Sequence, residues 1–138
     1  MKRELKIGVT ADVIIDYGIE RGIVYVERGN EPFKGHFALP GGFYEPGESI
    51  EQTALREARE ETNLELRLSN MKLLGVYSKP GRDPRGPVVT VVYYVKLTGQ
   101  EPRAGDDAAD VKILKNKPNK LAFDHSQIID DYMKIRSK

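Results

Sequence analysis

Gly42-Phe43-Tyr44-Glu45-Pro46-Gly47-Glu48-Ser49-Ile50-Glu51-Gln52-Thr53-Ala54-Leu55-Arg56-Glu57-Ala58-Arg59-Glu60-Glu61-Thr62-Asn63-Leu64 is the stretch on which the reading of this chain turns. A glycine-bearing turn runs into a helix that begins near Ser49 and ends near Asn63. Ser49 and Gln52 have the spacing of a capping box, in which each side chain covers an orphan backbone donor. Asn63 suits the left-handed residue that closes a helix. At about 100° per residue, Glu57, Glu60 and Glu61 fall within roughly a third of the circumference. Ala54, Leu55, Ala58 and Thr62 lie on an adjoining face that can pack on a sheet. The glutamates repel one another at helical neighbour spacing, and they sit where the helix dipole is already negative. Arg56, four residues before Glu60, offsets part of this and is placed to fix that carboxylate. A cation shared among the acids would offset the rest. Carboxylate oxygens are hard ligands suited to Mg²⁺, with Mn²⁺ as an alternative. Such ions polarise phosphoryl oxygens and acidify bound water. A carboxylate left free of metal could accept the proton of an attacking water. The alternative for the segment is a solvated, charged helix face.

The composition narrows the possible partners. The chain has 138 residues, the size of one domain, and neither a repeat nor a linker divides 1–138. Lys plus Arg number 22 and Asp plus Glu 21, a balance that argues against nucleic acid as a partner. A few local arginines could still hold a small anion. No apolar run is long enough to span a bilayer, and the charged start Met1-Lys2-Arg3-Glu4 has no signal-peptide core. Without cysteine, disulfides, thiolate nucleophiles and Cys-type zinc sites are excluded. A cytoplasmic setting is the expectation.

Around the acidic helix the pattern is mostly strand. Strands are expected at Leu5 to Ile15, Gly22 to Arg28, Phe37 to Leu39, Lys72 to Ser78 and Val88 to Leu97, with a short one at Val111 to Leu114. Gly29 to Gly35 and Lys79 to Gly86 are loops by their Gly and Pro content. A last helix is expected from Asp124, which would cap it with Gln127, and Ile128, Ile129, Tyr132 and Ile135 would form its buried stripe. Strands with two helices imply an α/β (α+β) fold, a mixed β-sheet covered on both faces.

The quoted segment resembles the signature box of the Nudix hydrolases. Gly42, Glu48, Arg56, Glu57, Glu60, Glu61 and Leu64 match it, Ala58 fills its apolar slot, and Asn63 stands where the family has glycine. The resemblance implies a Nudix-type α/β/α sandwich and divalent-metal-dependent hydrolysis of a nucleoside diphosphate derivative. It implies metal ligands at Glu57, Glu60, Glu61 and the Gly41 carbonyl, Arg56 as the orienter of Glu60, and Glu48 as a support for the loop. Pro80, 16 residues after Leu64, resembles the mark of the ADP-ribose pyrophosphatase branch. So do Ser78 to Gly86, Ala104 to Ala108 and Leu121 to His125. That branch cleaves ADP-ribose to AMP and ribose 5-phosphate, and a homodimer is implied. The alternatives are another nucleoside diphosphate derivative, an oxidised nucleotide, or a module that senses ADP-ribose without cleaving it. The complete set of acids speaks against the sensor.

Further candidates carry two readings each. Arg28 ends a strand and could contact phosphate or merely face solvent. Arg82 and Arg85 could grip a terminal ribose phosphate by forked hydrogen bonds, or belong to a proline-stiffened surface loop. The general base is Glu57 or a late-loop acid among Asp106, Asp107 and Asp110. For His125 a structural or substrate-edge role is favoured over metal ligation. Phe43, Tyr44 and Tyr77 could stack on a base, with core packing the default for each.

Overall fold

The computed structural model describes residues 6–105 and 107–136. The expected strand start at Leu5 and the late-loop Asp106 lie outside them. β1 (Gly8–Asp16) organises the rest, because both of its faces are buried. Ala11, Val13 and Ile15 pack with Ala54 and Ala58 of α1 (Ile50–Thr62). Ile14, on the opposite face, packs with Ile128, Ile129 and Tyr132 of α2 (His125–Ile135). Alternate side chains of one strand thus meet different helices. A strand covered on both sides needs apolar residues at successive positions, which Val13-Ile14-Ile15 supplies. The layers are helix, mixed sheet, helix, as the pattern implies.

β6 (Val88–Lys96) runs parallel to β1 over its whole length, from Gly8 opposite Val88 to Asp16 opposite Lys96. β5 (Lys72–Tyr77) closes that edge antiparallel to β6. On its other side β1 is shared. β4 (Gly41–Phe43) pairs with Thr10 to Asp12, whereas β2 (Ile23–Arg28) pairs with β1 only at Asp16 opposite Ile23. β2 then carries β3 (Phe37–Ala38) and β7 (Ala108–Leu114), completing a seven-stranded sheet. β1 and β2 therefore touch at one end and diverge toward the other. An opening is left between them, lined by residues of β1, β2 and β4.

Several elements depart from expectation. β7 begins at Ala108, so Asp110 is a strand residue opposite Glu27 rather than part of a loop. Ile135 is 53% exposed and leaves the buried stripe. The i, i+4 row from Ile128 through Tyr132 continues to Arg136, which turns inward to Asp16 and displaces Ile135 outward. Asp124 makes no side-chain cap, because both of its oxygens accept from Arg82; Gln127 donates to Asp131 instead. The capping box of α1 and the left-handed Asn63 (φ 60°) are present.

Asp16 ties the end of α2 to the sheet. Buried at 2% exposure, it accepts from Arg136 Nε and Nη2 at 2.9 and 2.8 Å, from the Tyr132 hydroxyl and from the Gly18 N–H. Burial alone would raise its pKa. The bonds from Arg136, Tyr132 and Gly18 outweigh burial and hold it below the ordinary 3.8. A depressed folded pKa stabilises at and above the unfolded value and is lost as pH falls through the folded one. Asp16→Asn should therefore cost about 3 kcal/mol at neutral pH, the scale for breaking a buried pair. In urea unfolding, the gap to wild type should narrow on acidification below about pH 4. A gap constant with pH would contradict the assigned ion pair.

Candidate active site

The acids of α1 are arranged by one guanidinium. Arg56 Nε and Nη2 grip Glu48 in a fork at 3.0 and 2.9 Å. Nη2 also donates to the Phe43 carbonyl at 2.9 Å, and Nη1 donates to Glu57 at 2.7 Å and to Glu60 at 3.2 Å. The expected contact with Glu60 exists, but it is the longest of the set; Glu48 and Glu57 are the principal partners. The fork and a hydroxyl bond from Thr53 pull the Glu48 pKa down to about 2. Glu48 also accepts from the Glu45 N–H, so it pins the turn to the helix.

Glu57 and Glu61 face a cleft of about 400 Å³ at the opening between β1 and β2. Burial raises the pKa of Glu57, only partly countered by Arg56. Burial raises Glu61 further, to about 8, with Glu57 and Asp12 adding repulsion that the Gly41 N–H and Arg28 do not cancel. Gly41 donates its N–H to Glu61 at 2.7 Å. A Cβ on Gly41 would strike Asp12 Oδ1 at 2.0 Å, and one on Gly42 would strike the Glu57 carboxyl at 2.4 Å. Only glycine lets the β4 backbone come this close to the carboxylates.

These donors are chemically suited to a hard dication: buried carboxylates with raised proton affinity, backed by glycine peptides. Among the described residues, however, no three His, Asp or Glu side chains converge into a ready-made cation site. Glu60 is exposed and does not line the cleft, and Arg56 shares Glu57 and Glu60. Glu57, Glu60, Glu61 and Gly41 are the groups that would hold such an ion, with Arg56 fixing two of them.

The opposite wall is basic and aromatic. Arg28 is half-buried, donates Nε to the Pro32 carbonyl at 2.6 Å and lies 5.1 Å from the Phe123 ring centre. Burial first, then the charge of Arg85, lowers its pKa. The reading of Arg28 as a solvated strand end does not hold. Arg85 forks onto the buried Asp83 at 3.1 and 2.8 Å and lies over Phe43 and Phe123. Arg82 also reaches the cleft, but Asp124 takes its Nε and Nη2 at 3.0 and 2.8 Å. Pro80 is exposed and does not line the cleft. Asp107 lines it; Asp110, held in β7, does not. Phe43 and Tyr44 are 41% and 45% exposed, so core packing is wrong for both. Tyr77 packs in the α2 cluster and donates its hydroxyl to Asp131.

His125 is tied into the fold and also lines the cleft, so both the structural and the substrate-edge reading stand. Its Nδ1 accepts from the Leu39 N–H at 3.0 Å, so a neutral ring carries its proton on Nε2, which faces Asp12 at 3.7 Å. Asp12, Asp83 and Phe123 also line the cleft, and local sequence pattern assigns them no role there. Asp12 had a signal, since an acid inside an apolar strand must find a partner; Thr90 supplies one.

Among known proteins, the model described as NUDIX domain matches residues 6–132. The ADP-ribose pyrophosphatase of Methanocaldococcus jannaschii is 48% identical over 143 residues, covering 99% of this chain and 83% of that protein. The crystal structure of a MutT/nudix family protein from Enterococcus faecalis superposes with a TM-score of 0.88 at 31% identity. It covers 98% of this chain, which spans 64% of that one. The NUDIX domain of Shewanella oneidensis NrtR complexed with ADP ribose gives 0.82 at 32% identity, covering 98% of this chain and 90% of that one.

An acid whose folded pKa is raised destabilises the fold as pH rises from its unfolded value to its folded value. In EDTA, the thermal midpoint should therefore fall between about pH 5 and pH 8 because of Glu61, whose pKa moves from 4.5 to about 8. Glu61→Gln should flatten that slope. An unchanged slope in the variant would dismiss the buried carboxyl as its source.

Proposed function

The chain belongs to the NUDIX family, and from that premise we propose that it hydrolyses ADP-ribose to AMP and ribose 5-phosphate. The coarser activity follows from the family: cleavage of a phosphoanhydride bond in a nucleoside diphosphate derivative. One observation supports the finer choice most. The likeness to the Methanocaldococcus jannaschii ADP-ribose pyrophosphatase runs over nearly the whole chain.

The cleft supports the same chemistry. Its acidic wall carries Glu57 and Glu61, and its basic wall carries Arg28 and Arg85. A diphosphate between them would be gripped by guanidinium donors on one side. On the other side, Glu57, Glu60, Glu61 and the Gly41 carbonyl would hold Mg²⁺, or Mn²⁺ in its place. Such an ion supplies charge neutralisation at the phosphoryl oxygens and a more acidic water. Arg56 holds Glu57 and Glu60 in position. The water oxygen bonds to one phosphorus, the bridging P–O bond breaks, and the other phosphate leaves with the bridging oxygen. The water proton goes to Asp107, or to Glu57 where the ion leaves that carboxylate free, and Asp106 shares that candidacy by sequence alone. Arg82 contributes by bracing the loop that carries Pro80 and Arg85 against Asp124.

A second reading has a specific ground, the likeness to the NrtR domain complexed with ADP ribose. In that reading the cleft binds ADP-ribose without cutting it. A product assay for AMP separates the two. A homodimer is part of the proposal as well; β5 is an edge strand with Leu73 and Val76 exposed, and sedimentation would read the mass.

Glu60→Gln should keep the thermal midpoint close to wild type, since this side chain is 53% exposed. Its kcat for ADP-ribose should fall about 100-fold or more, the scale on which one lost electrostatic contact to a transition state registers. Near-normal turnover at saturating Mg²⁺ would remove Glu60 from the site. No AMP from wild type would favour the sensor.

A further inference from the structure

Phe123 stands where the two arginines of the basic wall meet. The Cζ atoms of Arg28 and Arg85 lie over its ring at 5.1 and 5.6 Å from the centre. The ring is not free to move aside. Phe33 meets it edge-on at 4.9 Å, and His125 lies tilted at 5.3 Å. The turn beneath is fixed by the Ala122 N–H to Phe37 and the His125 N–H to Ala122. Phe123 adopts φ 54°, a conformation that bulky residues seldom take and that persists where the surroundings over-determine it.

We propose that Phe123 is a positioning residue: its π face holds Arg28 and Arg85 together against their mutual repulsion, so that their spare N–H groups meet the two phosphoryl groups of a diphosphate. The spare donors can be named. Arg28 commits Nε to Pro32, and Arg85 commits Nε and Nη2 to Asp83. Both terminal nitrogens of Arg28 and Nη1 of Arg85 have no hydrogen-bond partner among the described residues, and both side chains line the cleft. Two cations held close repel, and the fork of Asp83 neutralises only Arg85 directly. An aromatic face is attractive to each and takes up none of their hydrogen-bonding capacity. Asp83 forks onto Arg85, whereas Arg28 has no direct ion pair among the described residues and feels Glu61, Asp83 and Asp12 only through space. Phe123 touches no reacting atom; it acts through the arginines. This rests on the reading of Arg28 and Arg85 as the diphosphate grip.

Phe123 also packs beside the small cluster of Val26, Ala38 and Ala122, so a truncation could fail for lack of packing. Fluorination separates the two roles. Mono-, di- and trifluorinated phenylalanine at position 123 of the full chain keep the ring and nearly its volume, but progressively weaken its negative face. The first readout is the Kd of inorganic pyrophosphate in EDTA, where no turnover occurs. It should rise stepwise, by about threefold to tenfold over the series. With Mg²⁺, the KM for ADP-ribose should rise in parallel while kcat and the thermal midpoint hold. Phe123→Leu should match or exceed the trifluorinated form, and Phe123→Tyr should restore binding. A Kd unchanged by fluorination would reduce the ring to packing and overturn the proposal, as would absence of pyrophosphate binding by wild type. Should wild type bind pyrophosphate yet release no AMP from ADP-ribose, the hydrolase reading fails, while the fluorine series still decides the role of Phe123.

Discussion

The guanidinium of Arg56 is the contact on which the acidic wall depends. Its nitrogens reach a turn carboxylate, a turn carbonyl and two carboxylates of its own helix. Without it, Glu57 and Glu60 would repel each other at the negative end of α1, and the Phe43 to Glu48 turn would lose its anchor. The fork to Glu48 has the planar geometry that arginine makes and lysine cannot. One residue thereby couples the turn that supplies backbone to the helix that supplies acids. The crowding of charge is only partly relieved by this, because the raised pKa values of Glu57 and Glu61 persist in its presence. The remaining imbalance is what a dication would offset.

The second constraint is topological. β1 gives its full length to β6 but divides its other edge between β4 and β2. This division separates the glutamate wall, placed by β4 and α1, from the arginine wall, placed by β2 and the Arg82 to Arg85 loop. A continuous β1–β2 ladder would close the cleft. The same arrangement puts Thr10 and Asp12 at the floor, where the Thr90 hydroxyl donates to the buried acid. Here the fold's requirements and the site's coincide, since an unpartnered aspartate at this depth would destabilise the sheet.

Legibility in the sequence followed the range of the interactions. The acidic helix, its capping box and its left-handed end are local, and Ser49, Gln52 and Asn63 do what their residue types prescribe. The β-branched runs of β1, β2 and β6 were equally plain. The failures come from partners distant along the chain. Asp124 has the sequence of a cap, but Arg82, 42 residues earlier, is its partner. Ile135 has the spacing of a buried residue, but the next residue bonds to Asp16, 120 residues away, and turns the stripe. Phe123 carries no local signal of a role, since its meaning lies in two arginines from other elements.

The replacement of the family's glycine by Asn63 illustrates how one local departure reaches the chemistry. Asparagine tolerates the left-handed conformation, and unlike glycine it brings an amide. Its Nδ2 donates to the Arg103 carbonyl at 2.9 Å, while the Arg103 N–H donates to Thr62 at 2.8 Å and the Gly105 N–H to Glu61 at 2.9 Å. The last carbonyls of α1, which a helix leaves without partners, are thus capped by the late loop. Gly105 must be glycine, because a Cβ there would fall 1.6 Å from the Glu60 carbonyl oxygen. Helix termination and the docking of the Arg103 to Gly105 segment are therefore one structural event, and the side chain of Asn63 reinforces a junction that a glycine would leave to backbone bonds alone.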